Sequence, residues 1–472
     1  MIKITDLTDD QSKALRGLLS FMQDDRKSFH LSGYAGTGKS VLMGIFIQEY
    51  YKILNLDKSQ IASFPITVCA PTHKAKHVIE KTTGIMGQTI HSMLGLRPDI
   101  DTNSMNPNSS LIFKTGETVQ GISGKMPYYK LIIIDEGSMI NKAIYTIIID
   151  VLNKTWKLVD DEPKKTAKIG MYKTKVIYVS DPAQLPPVNE LKSLIYTHVD
   201  YTLTHVVRQA LDNPIISLAT KLRSNYVINK SDQNLIESKG EYTGVIIYDD
   251  EKAFKDRVLL SLISNPNGLD KIKVLSWKND SIIKWNKFIR NKLLDIWLRN
   301  DSYLVKGEHL MSYINILKVS NSEEITVGEI RKEETVFGIR STIVGLKKTG
   351  INNICYVRIL VPEITNYQAY LDKLLPLYKQ AIDTKEKSAW RAYYAFKGQY
   401  MIMHDIKNKE GQVLAKRDID YAYALSVHKS QGSTFDEVYI DYRDISKSPE
   451  VQQLSYVGVT RASKLVHILI NP

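Results

Sequence analysis

Gly33-Tyr34-Ala35-Gly36-Thr37-Gly38-Lys39-Ser40 is the stretch on which the reading of this chain turns. It fits G-x-x-x-x-G-K-[ST], with the apolar run Ser28 to Leu31 before it and a helical pattern, Ser40 to Tyr50, after it. That is the strand–loop–helix setting the motif requires. Gly33, Gly36 and Gly38, with Thr37 between them, let backbone N–H groups turn toward phosphate oxygens at a helix N-terminus. Lys39 is placed to neutralise phosphate charge, and the Ser40 hydroxyl to hold Mg²⁺.

Working outward, further apolar runs at Ile66 to Ala70, Leu131 to Ile134 and Val176 to Val179 alternate with helical patterns. Near-continuous apolar strands between helices predict an α/β fold with a parallel sheet covered on both faces. Leu131 to Ile134 ends in Asp135-Glu136, which suits an Mg²⁺ ligand (Asp135) and a carboxylate that orients or deprotonates attacking water (Glu136). Val179 to Val188, VSDPAQLPPV, is another strand running into a polar loop. Gln184 there can hold a water or a γ-phosphate by hydrogen bonds, although a proline-stiffened loop without chemistry is the plainer reading of that segment alone.

A second α/β pattern starts after about residue 205, with strand candidates at Val274 to Trp277, Tyr421 to Val427, Glu437 to Asp441 and Val466 to Ile470. Two stretches break the rhythm. Asp99 to Lys125 is rich in Asn, Ser, Gly and Thr and predicts an insertion with a hairpin turning at Lys114 to Glu117. Residues from about 304 to 418 carry short β-like pieces, then one long helical stretch from about Tyr367 to Phe396.

Lys and Arg number 63 against 51 Asp and Glu, a net charge of +12, which favours a polyanionic partner. The lysine-rich run Lys154 to Lys175 reads most simply as a solvated face. Two cysteines, Cys69 and Cys355, form no metal-ligand spacing and no disulfide framework. No apolar run is long enough for a signal peptide or a membrane span, so a soluble protein of a reducing cytoplasm is expected.

These blocks, in this order, resemble the superfamily 1 helicases, and within them the 5′→3′ branch, superfamily 1B, of the Dda type found in T-even-type phages. The QLPPV form of the third block is similar to that branch. The resemblance extends over nearly the whole chain and implies further roles. Gln11, in LTDDQSKAL, resembles the adenine-reading Gln, which makes the nucleotide ATP. CAPTHKAKHVI resembles the motif that touches DNA through Pro71, Thr72, His73 and Lys74, and TIHSMLGL places His91 near the strand. LTHVVRQ makes Arg208 an arginine finger, and YVGVTRA makes Arg461 a second. ALSVHKSQGST puts His428, Lys429 and Ser430 near DNA and Gly432 near phosphate. One departure is Ser180, where the family usually has Gly before the Asp of the third block.

The implied architecture is two tandem RecA-like P-loop domains, residues 1–88 with 121–205 and 206–304 with 418–472. A β-hairpin pin (89–120) and an SH3-like and helical tower (305–417) are inserted. In the pin, Phe113 either abuts the first base pair or packs on a neighbouring domain. In the tower, Trp390 either stacks on a base or is buried with Tyr394 and Phe396 in an amphipathic helix. The implied activity is ATP hydrolysis coupled to movement on single-stranded DNA and unwinding of forked duplex by a monomer. By the same likeness a single-stranded-DNA-binding protein is a partner, and a phage origin would put the chain in a bacterial cytoplasm. An RNA helicase and a DNA-binding protein built on a dead ATPase fold are the competing readings. Intact Lys39, Ser40, Asp135, Glu136, Arg208 and Arg461 speak against the second.

Overall fold

The computed structural model describes residues 4–100, 111–115, 118–119, 122–207, 212–238, 240–297, 302–314, 321–348, 354–408 and 410–471. The chain divides into two compact units. One comprises Met1–Arg97, Thr115–Glu251 and Ser430–Pro472, the other Pro98–Lys114 and Lys252–Lys429.

The first unit is built on six strands, β1 (Ser28–Gly33), β2 (Ile66–Ala70), β3 (Gly87–Thr89), β4 (Leu131–Ile134), β5 (Lys175–Ser180) and β6 (Tyr201–Leu203). They lie in the order β6-β1-β5-β4-β2-β3, and every pair is parallel. β4 shows why an unbroken apolar run folds this way. Leu131 and Ile133 join one core with Leu18, Phe21, Leu42 and Phe46, while Ile132 and Ile134 point into a second with Ile148 and Leu152. Alternate side chains of a strand face opposite sides, so a strand with helices on both faces must be apolar throughout. The helix Asp9–Phe21 opens on a capping box between Thr8 and Gln11. A second sheet of this unit runs Asn234–Ser238, Glu241–Tyr248, Ala462–Leu469, Phe435–Asp441, antiparallel in the first pair and parallel in the rest.

The second unit holds a five-stranded antiparallel sheet, Ile354–Leu360, Ile339–Lys348, Glu324–Val336, His309–Ser312, Ile419–Tyr421. It also holds a parallel pair, Ile272–Ser276 with Ala424–Ser426, and two helices, Ile364–Thr384 and Lys387–Lys397.

Three expectations need correction. The stretch Tyr367 to Phe396 is two helices, because the chain turns at Lys385 in the left-handed region (φ 56°). The apolar run Tyr421 to Val427 is likewise two strands, each in a different sheet. The hairpin expected across Lys114 to Glu117 is not the pairing found: Leu111–Thr115 pairs with Leu96–Ile100, and Thr118–Val119 with Ile122–Ser123. Among the described residues no helix is long and apolar enough to cross a membrane.

Candidate active site and nucleic-acid interface

The phosphate loop leaves β1 at Gly33 and enters the helix Lys39–Ile53. Gly36 and Gly38 have φ of 79° and 78°, where side chains are disfavoured, and a Cβ on Gly38 would lie 2.4 Å from Gln11 Nε2. Lys39 Nζ donates to the carbonyls of Gly33 (2.6 Å) and Tyr34 (3.0 Å) and sits 3.9 Å from Asp181 Oδ2. The ammonium is thus folded over its own loop, on weak neutral acceptors that a phosphate oxygen would displace. Thr37 Oγ1 braces the loop through Tyr34 O at 2.8 Å. Gln11 is buried: its Nε2 donates to Thr37 O (3.0 Å) and its Oε1 accepts from Thr8 N (3.0 Å). In this conformation its amide supports the loop, and reading adenine requires both bonds to be released.

The register of the sheet brings the other candidates to the same edge. Ser32 of β1 pairs with Ser180 of β5, and Ile134 of β4 with Tyr178 of β5, so the loops after all three strands emerge together. Ligands bind at such carboxyl ends of parallel strands. Asp135 N–H is tied to Cys69 O at 2.9 Å, and Asp135 Oδ1 accepts from Glu136 N at 2.9 Å. Glu136 has φ 53°, a left-handed conformation rare for such a residue and typical of functional sites. Burial, and then the Glu136 carboxylate, push Asp135 above the usual carboxylate range, while Lys39 pulls it down. A divalent cation would reverse that penalty, and the hard oxygens of Ser40 and Asp135 suit Mg²⁺. Gln184 Oε1 is buried without a hydrogen-bond partner, as expected of an acceptor kept for a water or substrate atom. Ser180, the departure from the usual Gly, answers a histidine. His30 Nδ1 lies 2.9 Å from Ile195 O and 3.2 Å from His198 O, so it carries the proton, and His30 Nε2 accepts from Ser180 Oγ at 2.6 Å.

Two side chains missed in the sequence reach this loop. Tyr456 Oη accepts from Ala35 N (2.7 Å) and donates to Asp181 Oδ2 (2.7 Å). Arg223 lies over the Tyr34 ring at 4.2 Å and donates from Nη2 to Ala35 O at 3.4 Å. Tyr456 opens the YVGVTRA block, yet neither contact could be read, since partners 421 and 188 positions away leave no spacing. Arg461 is placed otherwise than its finger role implies. Its guanidinium donates to Val457 O (3.3 Å), Ser433 O (3.3 Å) and Thr460 Oγ1 (3.4 Å), and a contact with phosphate requires their release. Arg208 lies outside the described residues.

The candidate DNA contacts stand on the next strand end. β2 runs into Pro71, and Thr72 caps the helix His73–Thr83 by accepting from Ala75 N at 3.2 Å, which sets His73 and Lys74 in its first turn. Thr89 caps the short helix bearing His91 in the same way, at 3.2 Å, and burial lowers the pKa of His91. Gly432 (φ 70°) abuts these elements: a Cβ there would meet Ala75 Cβ at 2.9 Å and Thr72 Oγ1 at 3.2 Å. Its surroundings are therefore those of the candidate strand contacts rather than the phosphate position expected for it. In the second unit Lys429 Nζ lies 3.6 Å from the centroid of Tyr313, with His428 before it on the same short helix.

Two assignments are corrected by burial. Trp390 is fully buried in the core of the helical pair with Tyr370, Leu374 and Tyr393, so no ring face is open to a base. Ser430 is also fully buried and presents no surface to a strand. Phe113 lies on the strand Leu111–Thr115, but its side chain lies outside the described part of the structure.

A parallel sheet whose strand ends carry a glycine loop with its lysine, an acidic pair and a glutamine defines a P-loop nucleoside triphosphatase. The AAA domain family matches residues 20–190, and the UvrD-like helicase C-terminal domain matches 421–469. The ATP-dependent DNA helicase dda of Enterobacteria phage T4 is 22% identical over 502 residues, covering 97% of either chain. An uncharacterized protein of Acanthamoeba polyphaga mimivirus is 24% identical over 529 residues, covering 96% of this chain and 98% of that one. Among solved structures, Pif1 helicase from Bacteroides in complex with ADP-AlF3 and ssDNA is 18% identical, with a TM-score of 0.49, over 99% of this chain and 92% of that one. Residues 20–190 and 421–469 thus match an AAA domain and a UvrD-like helicase C-terminal domain, and over nearly its whole length the chain is similar to an ATP-dependent DNA helicase of the Dda type.

Proposed function

We propose that this protein is an ATP-dependent DNA helicase that moves 5′→3′ along single-stranded DNA and unwinds forked duplex, in phage DNA replication or recombination. The observation that carries the reading is the shared sheet edge. The loops after β1, β4 and β5 hold the phosphate machinery, and the loop after β2, one strand beyond β4, holds Pro71 to Lys74. A change in the phosphate site is therefore felt at the DNA loop through adjacent, hydrogen-bonded strands: Asp135 N–H is bonded to Cys69 O, two residues before Pro71.

In this reading Lys39 leaves the Gly33 and Tyr34 carbonyls for the phosphates, and Gln11 turns its amide to the adenine. Ser40 and Asp135 hold Mg²⁺, which would offset the charge of the phosphate oxygens. Glu136 orients or deprotonates the attacking water, Gln184 supplies the orphan acceptor beside it, and Arg208 and Arg461 act as fingers. A finger contributes a factor of roughly 10³ to 10⁵ in characterised phosphoryl transfer, so hydrolysis depends on bringing them in, and the grip on DNA alternates with it. The net charge of +12 supports the polyanionic track. The reading includes a monomeric enzyme, a single-stranded-DNA-binding protein as partner, Phe113 as the separating wedge and, for a phage protein, the bacterial cytoplasm.

The test is unwinding of forked duplexes with only a 5′ or only a 3′ single-stranded tail, at low salt with Mg²⁺ and ATP, by wild type and Lys39→Ala. Unwinding of the 5′-tailed fork alone, lost in Lys39→Ala, is expected. Unwinding of only the 3′-tailed fork would overturn the polarity, and unwinding by Lys39→Ala would overturn the site.

A further inference from the structure

We propose that Tyr456 is a positioning residue of the nucleotide site, acting through Asp181 and Ala35; the proposal rests on the ATPase reading above. Tyr456 stands on the helix Val451–Thr460, whose other buried side chains are the apolar Leu454, Val457 and Val459 and Ser455, which spends its hydroxyl on Val451 O of its own helix. A phenylalanine would fill the same space. The hydroxyl is what distinguishes the position, and it is used twice, each time at 2.7 Å, on Ala35 N–H and on Asp181 Oδ2.

Both partners belong to the phosphate machinery. Asp181 is fixed from its other oxygen, where Oδ1 accepts from Ala183 N at 3.0 Å. The remaining oxygen, Oδ2, is shared between the Tyr456 hydroxyl and the Lys39 ammonium 3.9 Å away. Tyr456 thus decides where the carboxylate stands, and the carboxylate sets one pole of the field in which Lys39 chooses among carbonyls, Asp181 and a phosphate. Ala35 is the third residue of the loop, and its two backbone polar groups are held by side chains from the later part of the chain, Tyr456 on N–H and Arg223 on C=O. Arg461 follows five residues after Tyr456 at the end of the same helix. A movement of the loop on phosphate binding is therefore transmitted by the hydroxyl to the helix that ends at the candidate finger. A buried hydroxyl bonded to an ionised group in this way couples the two more strongly than a surface contact would.

The experiment measures steady-state ATPase of wild type, Tyr456→Phe, Asp181→Asn and the double variant, at saturating single-stranded DNA and over a range of ATP. Thermal melting is recorded alongside. Loss of a hydrogen bond to a charged group predicts a fall in kcat on the order of tenfold to a hundredfold for Tyr456→Phe, with KM changed by less than about threefold, as for an interaction realised in the transition state. The effect should shrink markedly in the Asp181→Asn background, because residues acting as a unit are not additive. A kcat within about twofold of wild type overturns the proposal. So does an equal loss in both backgrounds, or a loss confined to melting temperature. Absence of DNA-stimulated ATPase in wild type would instead overturn the function reading, and the proposal with it.

Discussion

Replacing Trp390 with alanine tests its place in the core of the helical pair. The indole is fully buried, with ring centroids 6.1, 5.8 and 6.0 Å from those of Tyr378, Tyr393 and Tyr394. Truncating a core tryptophan costs about 3–5 kcal/mol, the sum of lost transfer energy and the cavity left behind. At about 2–4 °C per kcal/mol for a unit of 150–250 residues, the second unit of Trp390→Ala should melt roughly 6–20 °C lower. Trp390→Phe should cost much less, because Nε1 has no hydrogen-bond partner and its removal takes away an unsatisfied buried donor. The assay is a calorimetric melt combined with fluorescence anisotropy of labelled single-stranded DNA below the transition. The burial reading expects destabilisation with affinity within about twofold of wild type. Unchanged melting with a loss of affinity in the range of one stacked base, about 1–3 kcal/mol, would refute it.

Two further outcomes can be measured directly. Burial raises Asp418 and Asp420 to about 6. A carboxyl whose folded value lies above its unfolded 3.8 contributes stability that is full below about pH 4 and lost as pH rises through about 6. The second unit should therefore lose up to roughly 3 kcal/mol per group across that window, and Asp418→Asn should remove about half of the slope in a pH series of melts; an unchanged slope would count against it. Lys429→Ala should weaken binding to single-stranded DNA and reduce the slope of log affinity against log salt by about 0.7, the value of one phosphate contact; a slope equal to wild type would remove Lys429 from the interface.

What could be read from the sequence followed from local rules. β2 and β4 fall where their apolar runs do, at Ile66–Ala70 and Leu131–Ile134, because a strand buried on both faces leaves an unbroken signature. The phosphate loop was legible because its glycines need particular backbone angles at fixed spacing. The Tyr367 to Phe396 stretch misled because amphipathic periodicity continues across the turn at Lys385, where the two helices share one core. Burial of Trp390 was only half legible, since helical spacing says which side chains share a face and not what that face meets. Tyr456 opens the YVGVTRA block, but its role was not legible because its partner Ala35 lies 421 positions away, a proximity that only the closed fold creates.

The bond between His30 and Ser180 has a historical side. A glycine at 180 would take from His30 Nε2 its donor in a buried setting, at a cost of about 1–3 kcal/mol, and a serine facing an aliphatic residue at 30 would be left with the Tyr196 hydroxyl as its side-chain partner. Neither replacement is neutral without the other. The two positions should therefore be inherited together, and relatives that carry the glycine should carry something other than histidine on the neighbouring strand. Transplanting one position alone between such relatives should give a weaker protein than either parent, and transplanting both should restore it.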